Sequence, residues 1–278
     1  MDSTKTESLI SRVPEITVYF WILKFFTTAM GESTSDFMVF HINPYIAVVS
    51  GAIGFAVALS VKLHMRRYTP WVYWFTALMV AIFGTMAADV VHVAIGVPYI
   101  DSTTMFALML AAVFVVWYLS ERTLSIHSIY TTRREMFYWA AVFTTFALGT
   151  AAGDLTATTF GLGYFSSGVL FGILLAVVGI VHWKSRTTFG QSRKNLASSP
   201  VLAYWTAYIL TRPFGASFAD WMDKPLSVGG LALGDTRVSI CLFIPILFFV
   251  WFISTGHGDG GRRKRPTEAE SEGAFTAK

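Results

Sequence analysis

One pattern returns four times along this chain: an aromatic residue, a Trp, a Gly ten residues after the Trp, and an Asp five residues after the Gly. The copies are Phe20-Trp21…Gly31…Asp36, Tyr73-Trp74…Gly84…Asp89, Tyr138-Trp139…Gly149…Asp154 and Tyr204-Trp205…Gly215…Asp220. Two spacings held fixed in four copies define an internal repeat, so the fold must be an array of one module. The repeats run approximately over 13–65, 66–121, 130–186 and 198–255.

Each repeat is strongly apolar. Only 14% of the residues are charged and 54% are hydrophobic, whereas a soluble domain carries about 25% charged residues. Eight apolar segments can be drawn, at about 16–37, 44–63, 71–95, 103–120, 136–158, 166–183, 201–221 and 237–254. Each approaches the roughly 20 residues that a helix needs to cross a bilayer; the fourth and eighth are short. Their unbroken apolar runs argue against the alternation of a β-barrel. The expected fold is therefore an all-α integral membrane protein with about eight transmembrane helices. It is built as four parallel two-helix repeats with pseudo-symmetry about the membrane normal. Residues 1–255 form one transmembrane domain, and the Gly-rich, basic, then acidic tail 256–278 is expected to be disordered.

Basic residues set the orientation. Lys62, Arg66 and Arg67 follow the second segment, Arg122, Arg133 and Arg134 the fourth, and Lys184, Arg186, Arg193 and Lys194 the sixth. Arg262, Arg263, Lys264 and Arg265 follow the eighth, while the opposite loops hold only Lys224 and Arg237. The positive-inside rule then places both termini in the cytoplasm. The net charge of +4 is topological in origin and gives no reason to expect nucleic acid as a partner. The start of the chain lacks the pattern of a signal peptide, and the single Cys241 excludes an intrachain disulfide.

At about 100° per residue, positions 4, 7, 11 and 15 after the Trp share one face with it. The stripes read Trp21, Phe25, Thr28, Glu32, Asp36; Trp74, Leu78, Ala81, Thr85, Asp89; Trp139, Phe143, Phe146, Thr150, Asp154; and Trp205, Ile209, Arg212, Ala216, Asp220. Beside each stripe the pairs Gly31/Ser35, Gly84/Ala88, Gly149/Gly153 and Gly215/Ala219 are small-xxx-small. That pattern reads as helix packing. A carboxylate within an apolar segment is costly and is a functional candidate by default. The four Asp residues either lock loops through hydrogen bonds at the outer interface or converge on an axis and line a cation path, since acidic rings select cations. Departures between copies mark where function is layered on. Glu32 is an extra acid in the first repeat and Arg212 a base in the fourth; they form either an ion pair or, with Asp36, Asp89, Asp154 and Asp220, a proton-sharing path. Lys24 is the other internal base. Asp89 and His92 together make a weak candidate for a metal pair, against the plain reading of a hydrogen-bonded histidine.

The segments Val13-Pro14-Glu15-Ile16-Thr17-Val18-Tyr19-Phe20-Trp21, Leu124-Ser125-Ile126-His127-Ser128-Ile129 and Arg133-Arg134-Glu135-Met136-Phe137-Tyr138-Trp139, with Gly149…Gly153-Asp154, resemble a bacterial family of membrane-anchored proteins built from tandem repeats of unknown function. The resemblance covers most of residues 13–255 and implies a multi-pass protein of the bacterial inner membrane; it supplies no activity. The second repeat departs most, with Asp89 as its single charge on the stripe. Two functional readings follow. One is a cation transporter, with a divalent metal and proton coupling as its variants. The other is a non-transporting scaffold, sensor or assembly factor in which the Asp residues are structural. No enzyme motif and no cofactor beyond a bound cation is expected; the partners are the lipid bilayer and a small cation.

Overall fold

The computed structural model describes residues 11–189 and 199–256. The first ten residues, Arg193, Lys194, the basic run 262–265 and all but the first residue of the tail 256–278 lie outside them. Eight α-helices and no strand are present among the described residues: α1 Val18–His41, α2 Pro44–His64, α3 Pro70–Asp89, α4 Tyr99–Glu121, α5 Thr132–Asp154, α6 Tyr164–Phe189, α7 Pro200–Asp223 and α8 Asp235–Ser254. Side-chain caps set several starts. Thr17, Asn43, Thr131 and Ser199 accept backbone N–H groups of the first turns of α1, α2, α5 and α7. Pro44, Pro70 and Pro200 occupy first-turn positions, where the missing N–H costs nothing. α4 begins four residues before the apolar segment drawn from sequence, because Pro98 and the polar first turn containing Asp101 extend it.

The four odd helices form an inner ring. Each packs against two others in the closed cycle α1, α3, α5, α7 and back to α1. The even helices lie outside, and each packs chiefly on the odd helix that follows it: α2 on α3, α4 on α5, α6 on α7, with α8 closing on α1. Their apolar windows are buried to between 17% and 28%, against 56% for α3 and 67% for α5. Val49, Ile53 and Val57 on α2, Leu108 and Val115 on α4, and Ile244 and Phe248 on α8 are exposed. An apolar exterior around a more polar interior points to a membrane-embedded protein. Six of the helices are long and apolar enough to span a bilayer; α1 and α7 are not among them. These two carry Lys24, Glu32 and Asp36, and Arg212, Asp220 and Asp223.

Two sets of equivalent contacts tie the ring. The aromatic before each Trp meets the Trp of the next helix. Phe20 meets Trp74 at 5.7 Å, Tyr73 meets Trp139 at 5.4 Å, Tyr138 meets Trp205 at 6.1 Å and Tyr204 meets Trp21 at 5.9 Å between ring centroids. The repeated Gly in turn seats on the residue seven past the next Trp. A Cβ on Gly31 would strike Ala81, on Gly84 Phe146, on Gly149 Arg212 and on Gly215 Thr28. Both cycles run in the same sense and close from α7 to α1.

Candidate functional site

The Trp ends of the odd helices are closed by aromatic side chains. Phe20, Tyr73, Tyr138 and Tyr204 are at most 5% exposed, and the Tyr73 and Tyr138 hydroxyls hydrogen-bond each other. This corrects part of the face drawn from sequence. The axis here is lined by the residue before each Trp, while the Trp fills the gap between neighbouring helices. Position four is also off-axis: Phe25 packs on Phe214 and Phe218, and Phe143 on Phe55 and Phe83. At 3.6 residues per turn the stripe drifts around each helix, and the polar contacts across the ring come from positions 7, 11 and 15.

Those positions converge. Arg212 is fully buried, and its Nη2 donates to Glu32 Oε2 at 2.5 Å, to Thr150 Oγ1 at 2.6 Å and to Thr85 Oγ1. Its Nη1 donates to the Thr28 carbonyl at 3.2 Å and its Nε to the Phe146 carbonyl at 3.4 Å. Thr85 Oγ1 donates to Glu32 at 3.1 Å. One guanidinium therefore joins all four inner helices, and the bare Cα of Gly149 gives its stem room. Below it Lys24 is 2% exposed. Its Nζ contacts Thr28 Oγ1 at 3.3 Å and lies over the rings of Phe146 and Tyr208 at 4.0 and 4.2 Å. Lys24 is the one buried lysine or arginine among the described residues with no carboxylate in ion-pair range.

The Asp ends carry the remaining candidates. Asp36 pairs with Lys224, whose Nζ is also 3.6 Å from Asp220. Asp223, at the last turn of α7, accepts from Ser33 Oγ at 3.0 Å. The part-exposed side-chain carboxyls of Asp89 and Asp154 accept no hydrogen bond from the described residues; Asp154 accepts one from Thr158 Oγ1 at 2.6 Å through its backbone carbonyl. Tyr99 and Tyr164 head α4 and α6 at this same end. Burial disfavours the Lys224 charge, yet Asp220 and Asp36 outweigh it and hold the ammonium above the ordinary lysine range. α3 and α5 each continue past their Asp as a π-helical turn, Val90–Ala94 and Leu155–Thr159. Such turns are frequent at functional sites.

His92 is hydrogen-bonded through one ring nitrogen, while its buried Nε2 has no partner among the described residues. Its Nδ1 is 3.0 Å from Ser102 Oγ and its ring packs on Tyr99 at 4.3 Å. Among the described residues, the group of three carboxylates close enough to hold a metal is Asp36, Asp220 and Asp223, which does not include Asp89 or His92. Two features escape a reading of the repeat alone. Asp223 and Lys224 lie past the fourth Asp, beyond the repeated frame. At the opposite end Glu135 is fully buried between Lys62 at 2.5 Å and Arg12 at 2.8 Å. Lys62, counted from sequence among the basic residues that set orientation, is itself fully buried in this pair. Backbone bonds from Arg12 to Ile129 and from Tyr68 to Ser11, both 3.0 Å, pin the segment before α1 to the same end.

A family model described as a Repeat of Unknown Function (DUF347) matches residues 72–123, 137–188 and 203–257. Each match begins two residues before a Trp of the repeat. The unit containing α1 and α2 is outside the matched residues, although it completes the ring. No curated protein and no solved structure matches the chain. With three tandem matches covering more than half of its length, the chain belongs to this family of repeats of unknown function.

Proposed function

We propose that the chain is an eight-span protein of the bacterial inner membrane, with both termini cytoplasmic, that transports a hard cation along the axis of its inner ring. The observation that carries this reading is the segregation of charge. Six carboxyls (Glu32, Asp36, Asp89, Asp154, Asp220 and Asp223) and three bases (Lys24, Arg212 and Lys224) all sit on the inner ring or the loop capping it. The part-exposed carboxyls of Asp89 and Asp154 accept no hydrogen bond from the described residues, so no loop lock accounts for them. Hard cations take oxygen ligands, and an excess of carboxyls over bases suits a site that exchanges metal for protons. The aromatic layer at the Trp end supports a state closed to the cytoplasm.

The internal pairing of Glu32 with Arg212 and of Asp36 with Lys224 favours the second reading, a scaffold whose charges are satisfied within the ring. Cation flux into liposomes containing the purified protein separates the two. Transport requires flux of at least one of Mn2+, Mg2+ or Ca2+ above empty liposomes, and its loss in Asp154→Asn without loss of folded protein. A protein inert to the whole panel, with or without a proton gradient, would leave the scaffold reading.

A further inference from the structure

The Asp ends of α1 and α7 hold a preformed group of oxygens. Asp36, Asp220 and Asp223 each offer one carboxylate atom within 4.8 Å of the others, a spacing that one ion with oxygen ligands at about 2.3–2.6 Å spans. Asp220 and Asp223 are 5% and 8% exposed. Independently of this clustering, Asp223 Oδ1 is buried and has no hydrogen-bond partner among the described residues, its Oδ2 being taken by Ser33. A buried acceptor left without a donor is destabilising, so an oxygen kept in this state beside two other carboxylates points to a ligand.

The Lys224 ammonium now sits on Asp36 and Asp220, and no ion-pair contact joins it to Asp223. Three carboxylates against one ammonium leave two negative charges, the complement of a divalent cation. The Lys224 backbone is fixed: its N–H donates to the Asp220 carbonyl and its own carbonyl accepts from Ala232, both at 2.9 Å. The side chain is 23% exposed and hangs on a flexible stem. The exposed ring of Phe40 lies 5.5 Å from Nζ, so cation–π attraction already holds the ammonium on its solvent side.

We infer that Asp36, Asp220 and Asp223 bind a hard divalent cation, and that Lys224 is a tethered counter-ion that fills this site when it is empty and swings aside to admit the ion. The inference deepens the transport reading and rests on it for its purpose, but binding is measured separately from flux. Mn2+ is titrated into the purified full-length protein in detergent, and the free aquo-ion is followed by electron paramagnetic resonance. Removing the competitor in Lys224→Met should tighten Mn2+ binding at least tenfold, and Asp223→Asn should weaken it at least tenfold. Ca2+ should displace the bound Mn2+ and Na+ should not. Thermal melts without metal confirm folding, and Lys224→Gln replaces the Met variant if that one aggregates. Binding in the Lys224 variant no tighter than in the wild type, or binding unaffected by Asp223→Asn, overturns the inference. If the wild-type protein binds Mn2+ and responds to both substitutions yet carries no cation into liposomes, the site stands and transport fails. If it carries Mn2+ with Lys224 and Asp223 both silent, transport stands and this site fails.

Discussion

Arg212 makes ties to α1, α3 and α5 through one planar group, which a lysine's single ammonium could not reproduce. Removing either partner of its pair leaves an uncompensated buried charge, at a cost of about 3–5 kcal/mol. Arg212→Met and Glu32→Gln should therefore each lower the melting temperature in detergent, and the double variant should recover part of the loss; strictly additive losses would mean that the two side chains do not depend on each other. Lys24 is the opposite case, a buried amine with aromatic rings and a hydroxyl for company. Lys24→Met removes a desolvated charge while keeping the side chain's length. It should raise the melting temperature and, on the transport reading, abolish flux, the trade expected where a site holds destabilising groups for activity. A variant as active as wild type would take Lys24 out of the path. Glu32 and Arg212 were legible in the sequence because they break a repeat, and a break has meaning only against a frame. Asp223 and Lys224 lie just past that frame, and Glu135 precedes its Trp by four residues, so periodicity gave no signal for them; their roles depend on which loops and helices the fold brings together.

At the scale of the helices, the small-xxx-small pattern does not treat its two positions alike. Gly149 faces Arg212 and the Pro213 ring, with no room for a Cβ, whereas the nearest atom to a Cβ on Gly153 would be Ser217 Oγ at 3.5 Å, an ordinary contact. Gly149→Ala should displace the Arg212 stem and destabilise by about 1–3 kcal/mol, as overpacking does. Gly153→Ala should be neutral or stabilising by up to about 1 kcal/mol, because alanine restricts the unfolded chain. Equal melting temperatures for the two variants would contradict this geometry. Spacing alone could mark both glycines as small but could not tell which one bears on the neighbour, since that depends on helix rotation within the ring. The same rotation moved the lower half of each stripe off the axis.

Across the whole molecule, a repeat shows that four units are equivalent without saying which helix packs on which. The hairpin partner is the nearest choice in sequence, yet each even helix packs chiefly on the following odd one. This offset interlocks the units, and it lets α8 seal α1 into a closed ring. Closure also bears on how α1 and α7 enter a bilayer. Neither is among the helices apolar enough to span alone, but inside the ring their charges face Arg212, Glu32 and Lys224 instead of lipid, and the outer helices supply the apolar surface. Both should therefore cross, and loops at the Asp end should all lie outside the cell. Leu162 and Leu226, 44% and 74% exposed, flank the α6–α7 pair on that side. With Cys241 replaced by Ser, Leu162→Cys and Leu226→Cys should both react with an impermeant maleimide in intact cells, and His64→Cys only after the membrane is opened. Labelling of Leu162→Cys from outside but Leu226→Cys only from inside would mean that α7 stays out of the bilayer, and the ring with its ionisable axis could not assemble.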